Sequence, residues 1–287
     1  MLASLAGVLF DGFAYGMLLF LLSVGLSVTL GMMNFVNLAH CSFAMIGGYV
    51  TATLVNSFGW PFLASLPIAF LAAALVSIVL ERALYRRLYR ATELDQCLLT
   101  IGIVFISVAV AAYFYGTVQQ PINTPSYLRG SVQLMGMSFA VYRLFLIVTA
   151  LVIAALLVYS LEYTRFGAQV RAAVDNQRMA RGLGIDVDRA FAVTFALGGG
   201  LAGLGGALAI EMVGLDHAFA FTYLVYVLIV VAVGGLGSIG GSFAAAAVLG
   251  ISDMAGKYYF PWLGAFLIYL VMVGILMWRP AGLFGKR

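Results

Sequence analysis

Charge is what this chain has least of. Asp, Glu, Lys and Arg together make up 9% of its 287 residues, against about 25% in an ordinary soluble domain. So few charges cannot wet a globular surface, which excludes a soluble enzyme and a disordered chain. Cysteine is also scarce. Cys41 and Cys97 both lie in apolar surroundings, so neither a disulfide framework nor a cysteine metal site is expected. The two histidines, His40 and His217, are far apart and fit no metal-ligand spacing such as H-E-x-x-H. The only lysines, Lys257 and Lys286, precede Tyr258 and Arg287, so the phosphate loop G-x-x-x-x-G-K-[ST] is missing, and no G-x-S-x-G elbow occurs. The chain therefore has no ATP site of that kind and no catalytic set. The net charge of +4 does not point to nucleic acid either, because the basic residues fall where membrane topology needs them.

What is present is hydrocarbon. Hydrophobic residues make up 64% of the chain and the mean hydropathy is +1.08, so lipid must cover much of the surface. From Gly12 to Leu80 there is no charged residue, room for three crossings at ~20 residues each. Apolar windows separated by charged or turn-forming clusters predict spans near 9–31, 38–57, 61–84, 98–116, 142–161, 190–212, 219–236, 241–257 and 260–278. The expected fold is an all-α polytopic membrane protein, one domain over 1–287, with about nine transmembrane helices (8–10). The break from Gly31 to His40 is either a loop or an unwound piece inside the bilayer. The first window carries Asp11 and no basic leader, so it is expected to be a span and not a removed signal peptide.

Cytoplasmic loops retain Lys and Arg. Here Arg82, Arg86, Arg87 and Arg90 form one cluster, Arg165, Arg171, Arg178, Arg181 and Arg189 a second, and Arg279, Lys286 and Arg287 a third. Only Arg129, Arg143 and Lys257 lie elsewhere. Nine spans put all three clusters on one side, with the amino terminus outside and the carboxyl terminus in the cytoplasm.

Two segments between spans are long. The outer one, 117–140, holds Pro121, Asn123, Pro125 and Gly130 and is expected to be largely non-helical. The inner one, 162–189, predicts a short helix from about Ala168 to Leu183, stopped at Gly182 to Gly184, with Asp186 or Asp188 capping the next span. On that helix Arg171, Asp175 and Arg178 share one face. Ala168, Ala172, Met179 and Leu183 share another, a small apolar surface for a partner.

The stretches 199–206 and 234–241 echo each other at an offset of 35 residues, and Gly199-Gly203-Ala207 and Gly237-Gly241-Ala245 repeat at i, i+4, i+8. Such ladders serve close helix packing in lipid or a moving gate. Asn34, Asn37 and His40 follow Gly31 at spacings of three; polar groups at membrane depth line a substrate path, or they cap a helix break. Glu211 and Asp216 flank an outer turn, where a structural role suits them. Asp253 and Lys257 form an i, i+4 pair.

Four separated runs are Gly31-Met32-Met33-Asn34-Phe35-Val36-Asn37-Leu38-Ala39-His40, the inner stretch from Arg171 through Asp175 and Ala180 to Gly184 and Ile185, Gly234 to Gly241, and Arg279-Pro280-Ala281-Gly282-Leu283-Phe284-Gly285. In this order they resemble the permease subunits of branched-chain amino acid ABC importers of the LivH type. The resemblance implies the ABC importer permease fold, alternating access, a homologous permease subunit as partner, two cytoplasmic ABC ATPases that bind the ATP, and an outer substrate-binding protein. It implies no cofactor in this chain and a bacterial inner-membrane location. It also implies that the inner segment is a coupling element, with Ala168, Ala172, Ala173, Asp175, Met179, Ala180, Leu183 and Gly184 at the ATPase contact. Cys41 and Ser42 stand where the family often carries an acidic pair, which leaves branched-chain amino acids, other amino acids, urea, short amides and aromatic acids open as solutes. An autonomous secondary transporter or solute channel is the alternative of a different class. It is expected to show mid-span coupling acids or a longer repeat.

Overall fold

The structure, a computed structural model, describes all residues except Met1, Asn34, Val36, Arg90, Asn123, Met135, Gly136, Lys286 and Arg287. Each of the nine apolar windows coincides with a helix. In chain order these are α1 (Leu2–Met33), α2 (His40–Asn56), α3 (Phe62–Leu80), which runs on through a π turn (Glu81–Tyr85) into α4 (Arg86–Leu88), then α5 (Glu93–Tyr115) and α6 (Val141–Tyr163). Two short helices follow, α7 (Arg165–Asp175) and α8 (Gln177–Gly182). The chain ends in α9 (Val187–Val213), α10 (Phe219–Gly234), α11 (Ile239–Tyr259) and α12 (Gly264–Trp278). Among the described residues, six helices are long and apolar enough to cross a membrane: those spanning 4–31, 62–88, 93–115, 141–163, 187–213 and 239–259. α10 and α12 are shorter apolar helices. At 1.5 Å per residue, the 17 residues of α2 reach about 25 Å, short of a ~30 Å hydrocarbon core.

Burial separates the helices into an inner and an outer set. α1 and α9 are largely enclosed by the rest of the chain, whereas α3, α5 and α6 turn most of their apolar surface outward. α1 packs along α9 and α11, and α9 also packs on α2 and α3. The enclosed helices carry the glycines, for a steric reason. A Cβ at Gly203 would collide with the Ala73 side chain on α3, and one at Gly199 with Ser77 on the same helix. Removing those side chains lets backbones approach, the main source of helix association where lipid is as apolar as the helix.

The second ladder departs from the expected helical repeat. Gly237 is not helical: it sits at φ +78° in the α10–α11 turn, against the backbone of Gly31. α11 begins only after Ser238, whose Oγ accepts the Gly241 N–H at 3.0 Å. A capped turn interrupts the i, i+4 pattern, and Gly241 is then packed against the Gly234 carbonyl.

In the break after α1 the described residues, Phe35 and Asn37 to Ala39, are non-helical and lie within the bundle. Phe35 there is buried against the rings of Tyr85, Tyr89 and Phe195, at 5.2, 5.7 and 6.2 Å between centroids. The outer segment holds a 3-10 turn (Ser126–Leu128) and an antiparallel hairpin of β1 (Ser131–Leu134) and β2 (Met137–Ala140), which periodicity did not forecast. It is pinned to the α9–α10 turn by the Gln120 N–H donating to the Leu215 carbonyl at 2.7 Å, and to α9 by the Thr124 hydroxyl donating to Glu211. At this same end of the bundle Asp11 pairs with Arg143, joining α1 to α6.

Candidate functional site

The arginine-rich end of the bundle is where polar groups gather. Thr164 starts α7 by accepting the Gly167 N–H at 3.2 Å. The single inner helix expected over 168–183 is broken in two. Asn176, extended at φ −156° and ψ 96°, ends α7, and its Oδ1 accepts the Met179 N–H at 3.0 Å to start α8. Asn is a strong N-cap, and its side chain outcompetes continuation of the helix. Gly184, at φ +82°, closes α8, and Asp186 caps α9 by accepting the Arg189 N–H at 2.9 Å.

That break redraws the expected faces. Val170 and Ala173 of α7 and Ala180 of α8 are buried. Ala173 and Ala180 join Val187 and Phe191 of α9 in a small core flanked by Met33, Tyr89 and Ile185. Ala173 and Ala180, expected at a partner contact, are therefore internal packing residues. Ala172 is half-buried. Ala168, Asp175, Met179, Leu183 and Gly184 remain exposed, with Met179 at 65% and Leu183 at 78%. Arg171 leaves the shared face expected with Arg178: its guanidinium turns back and donates to the carbonyls of Leu161 and Glu162 at the end of α6. Such a contact satisfies carbonyls that a helix C-terminus leaves unpaired.

One ion pair links this helix pair to α9, and a second links α9 to α4. Asp188 accepts from Arg181 at 2.9 Å and also pairs with Arg86 of α4. The Tyr89 hydroxyl donates to the buried Glu81 at 2.6 Å within the π turn region. Nothing in the local sequence could signal the Arg86 contact, which joins residues 102 apart. Arg90, Lys286 and Arg287 of the basic clusters lie outside the described residues, but the described members of all three clusters converge at this end.

Between α1, α6, α7 and the α10–α11 turn opens a cleft of about 850 Å³. Its walls include Val28 and Gly31, Val158 and Leu161, Arg171 and Asp175, and, from the terminal segment, Phe284. That segment closes the end of α10: the Leu283 and Phe284 N–H groups donate to the carbonyls of Val233 and Gly234 at 2.8 and 3.2 Å. Val158, Leu161 and Ile239 carry no motif that would mark them in the sequence. The signal that was available lay in the glycines, since Gly237 and Gly282 both take positive φ where backbones meet.

The residues expected to line a path are placed differently. Asn34 lies outside the described residues. Asn37 is buried, and its Oδ1 accepts the Ala39 N–H at 3.1 Å. His40 is buried too, and its Nε2 donates to the Leu22 carbonyl at 3.0 Å. Both side chains are spent on the chain's own backbone, and neither lines the cleft. Asn37 thus braces the turn before α2, and His40 ties the start of α2 to the middle of α1. Asp253 and Lys257 pair at 2.5 Å, with the ammonium 5.4 Å from the Tyr15 ring centre.

Fold and site together define a polytopic all-α membrane protein with an exposed helix pair at its arginine-rich end. The chain belongs to the family described as the branched-chain amino acid transport system permease component, whose profile matches residues 8–276. It is 29% identical over 286 residues to the probable branched-chain amino acid transport permease protein LivH of Methanocaldococcus jannaschii, covering 94% of this chain and 90% of that protein. It is 25% identical to the high-affinity branched-chain amino acid transport system permease protein LivH of Escherichia coli K12, over 97% and 94% of the two chains. It is also 26% identical to the corresponding permease protein LivM of Escherichia coli K12, over 93% of this chain and 68% of that one. No solved structure matches it.

Proposed function

We propose that this chain is a permease subunit of an ABC importer, passing branched-chain amino acids across the inner membrane by alternating access. The observation that carries the reading is the family match over 8–276, together with relatives whose names specify branched-chain amino acid transport. ATP is bound and hydrolysed by two partner ATPases, and an outer binding protein delivers the solute. The permease partner is a homologue and not a second copy: Escherichia coli K12 carries separately named LivH and LivM permease proteins, and both resemble this chain.

The bundle crosses nine times, with α2, α10 and α12 short or tilted, amino terminus outside and carboxyl terminus in the cytoplasm. The convergence of the described arginines supports this orientation, since retained basic residues mark the cytoplasmic side. α7 and α8 are the coupling element. Support comes from Met179 and Leu183, large apolar side chains held in solvent by a segment whose other side is packed and ion-paired. The outward faces of α3, α5 and α6 meet lipid or the partner permease. Co-purification tests the reading: a tagged chain expressed with its native partners should retain a stoichiometric ATPase and a second permease. Recovery of the chain alone, folded and without either, contradicts it.

A further inference from the structure

We propose that the cleft between α1, α6, α7 and the α10–α11 turn is a binding site for a free α-amino acid with an apolar side chain, on the side that carries the arginines. The inference rests on the importer reading for the identity of the amino acid, and on the cleft for the site itself. At about 850 Å³ it falls within the ~300–1,000 Å³ of ordinary small-molecule sites. Its walls supply three chemistries together. Val158, Leu161, Ile239 and Phe284 are apolar; Arg171 is a guanidinium; Glu162 and Asp175 are carboxylates.

Arg171 donates to the two carbonyls at the end of α6, which holds the guanidinium in place while leaving part of its five-donor fork free. Neither Glu162 nor Asp175 takes part in an ion pair among the described residues. An α-amino acid answers each of these groups: its carboxylate matches the guanidinium, its ammonium the free carboxylates, and its side chain the apolar wall. A simple anion would face two carboxylates, and a simple cation would meet the arginine. An uncharged solute would leave all three charges unanswered. The occupant touches α7 on one wall and α1 and the α10–α11 turn on another, so the bound molecule opposes movement of α7 against the bundle. The amino acid accumulated on this side therefore slows its own import.

The test is equilibrium binding of radiolabelled L-leucine to the complete assembly of permeases and ATPases in lipid nanodiscs, without ATP and without the outer binding protein. Saturable binding is expected, displaced by unlabelled leucine. 4-Methylpentanoate, which lacks the ammonium, and isopentylamine, which lacks the carboxylate, should displace it at least tenfold more weakly. Val158→Trp should project an indole from the apolar wall into the cleft and weaken binding at least tenfold. Glu162→Gln, at an exposed position, provides a second variant that keeps the packing and should weaken binding several-fold. Absence of saturable binding to the parent assembly overturns the proposal, as does undiminished binding to a folded Val158→Trp or Glu162→Gln assembly. ATP-driven uptake with the binding protein restored reads the importer role separately. Import without cleft binding refutes only the site, and cleft binding without import refutes only the importer.

Discussion

Replacing Met179 and Leu183 together by serine separates a docking role from a folding role, because the structure leaves both side chains largely in solvent. Fully burying a Leu or Met side chain stabilises by roughly 1.5–3 kcal/mol. Scaled by the 65% and 78% of surface still exposed, covering the two against an ATPase contributes about 2–4 kcal/mol. At 1.4 kcal/mol per tenfold, the double variant should bind its ATPase about 30- to 700-fold more weakly. The permease itself should scarcely notice, since surface substitutions stay within about ±0.5 kcal/mol. Ala173→Trp provides the opposite pattern. Ala173 is fully enclosed beside Val187 and Phe191, so overpacking there should cost the isolated permease roughly 1–3 kcal/mol. The assay pairs thermal unfolding of the detergent-purified permease with ATPase retention on a tagged column. A Met179→Ser/Leu183→Ser permease that unfolds early, or that keeps a full complement of ATPase, refutes the reasoning.

Three further outcomes follow from the packing. Asn37→Leu strands the buried Ala39 N–H and should destabilise the permease by about 1–3 kcal/mol; a melting temperature equal to the parent's would remove the capping role. Gly203→Leu drives a side chain into Ala73 of α3 and should prevent accumulation of folded permease, which fluorescence-detected size exclusion reads directly. Asp188→Ala removes two half-exposed ion pairs, each worth only about 0–1 kcal/mol, so its melting shift should be small and should vanish in high salt.

The positions of the helices were legible in the sequence because hydropathy acts residue by residue, and every apolar window from α1 to α12 became a helix. Asp186 could be recognised as a cap for the same local reason. Features that depend on distant contacts were not legible. The helix break at Asn176 lies in a run without Gly or Pro, so periodicity ran straight across it; the Asn itself was the only cue. Small residues on α7 and α8 could face either way. Contact of Gly167 with the end of α6, and of Ala173 with α9, decided the matter. Asn37 and His40 showed polarity at membrane depth, but not that the Leu22 carbonyl would wait for the imidazole. The cleft is assembled from five separated stretches, and no one of them carries a binding motif.

The most direct measurement of the central claim is leucine uptake into proteoliposomes containing this chain, its partner permease and the two ATPases, with ATP supplied on the ATPase side and the binding protein on the other. Accumulation against a gradient is expected only when ATP and the binding protein are both present. If the purified chain alone equilibrates leucine across the bilayer, without ATPase or ATP, the protein is a channel or an autonomous carrier and the importer account is wrong.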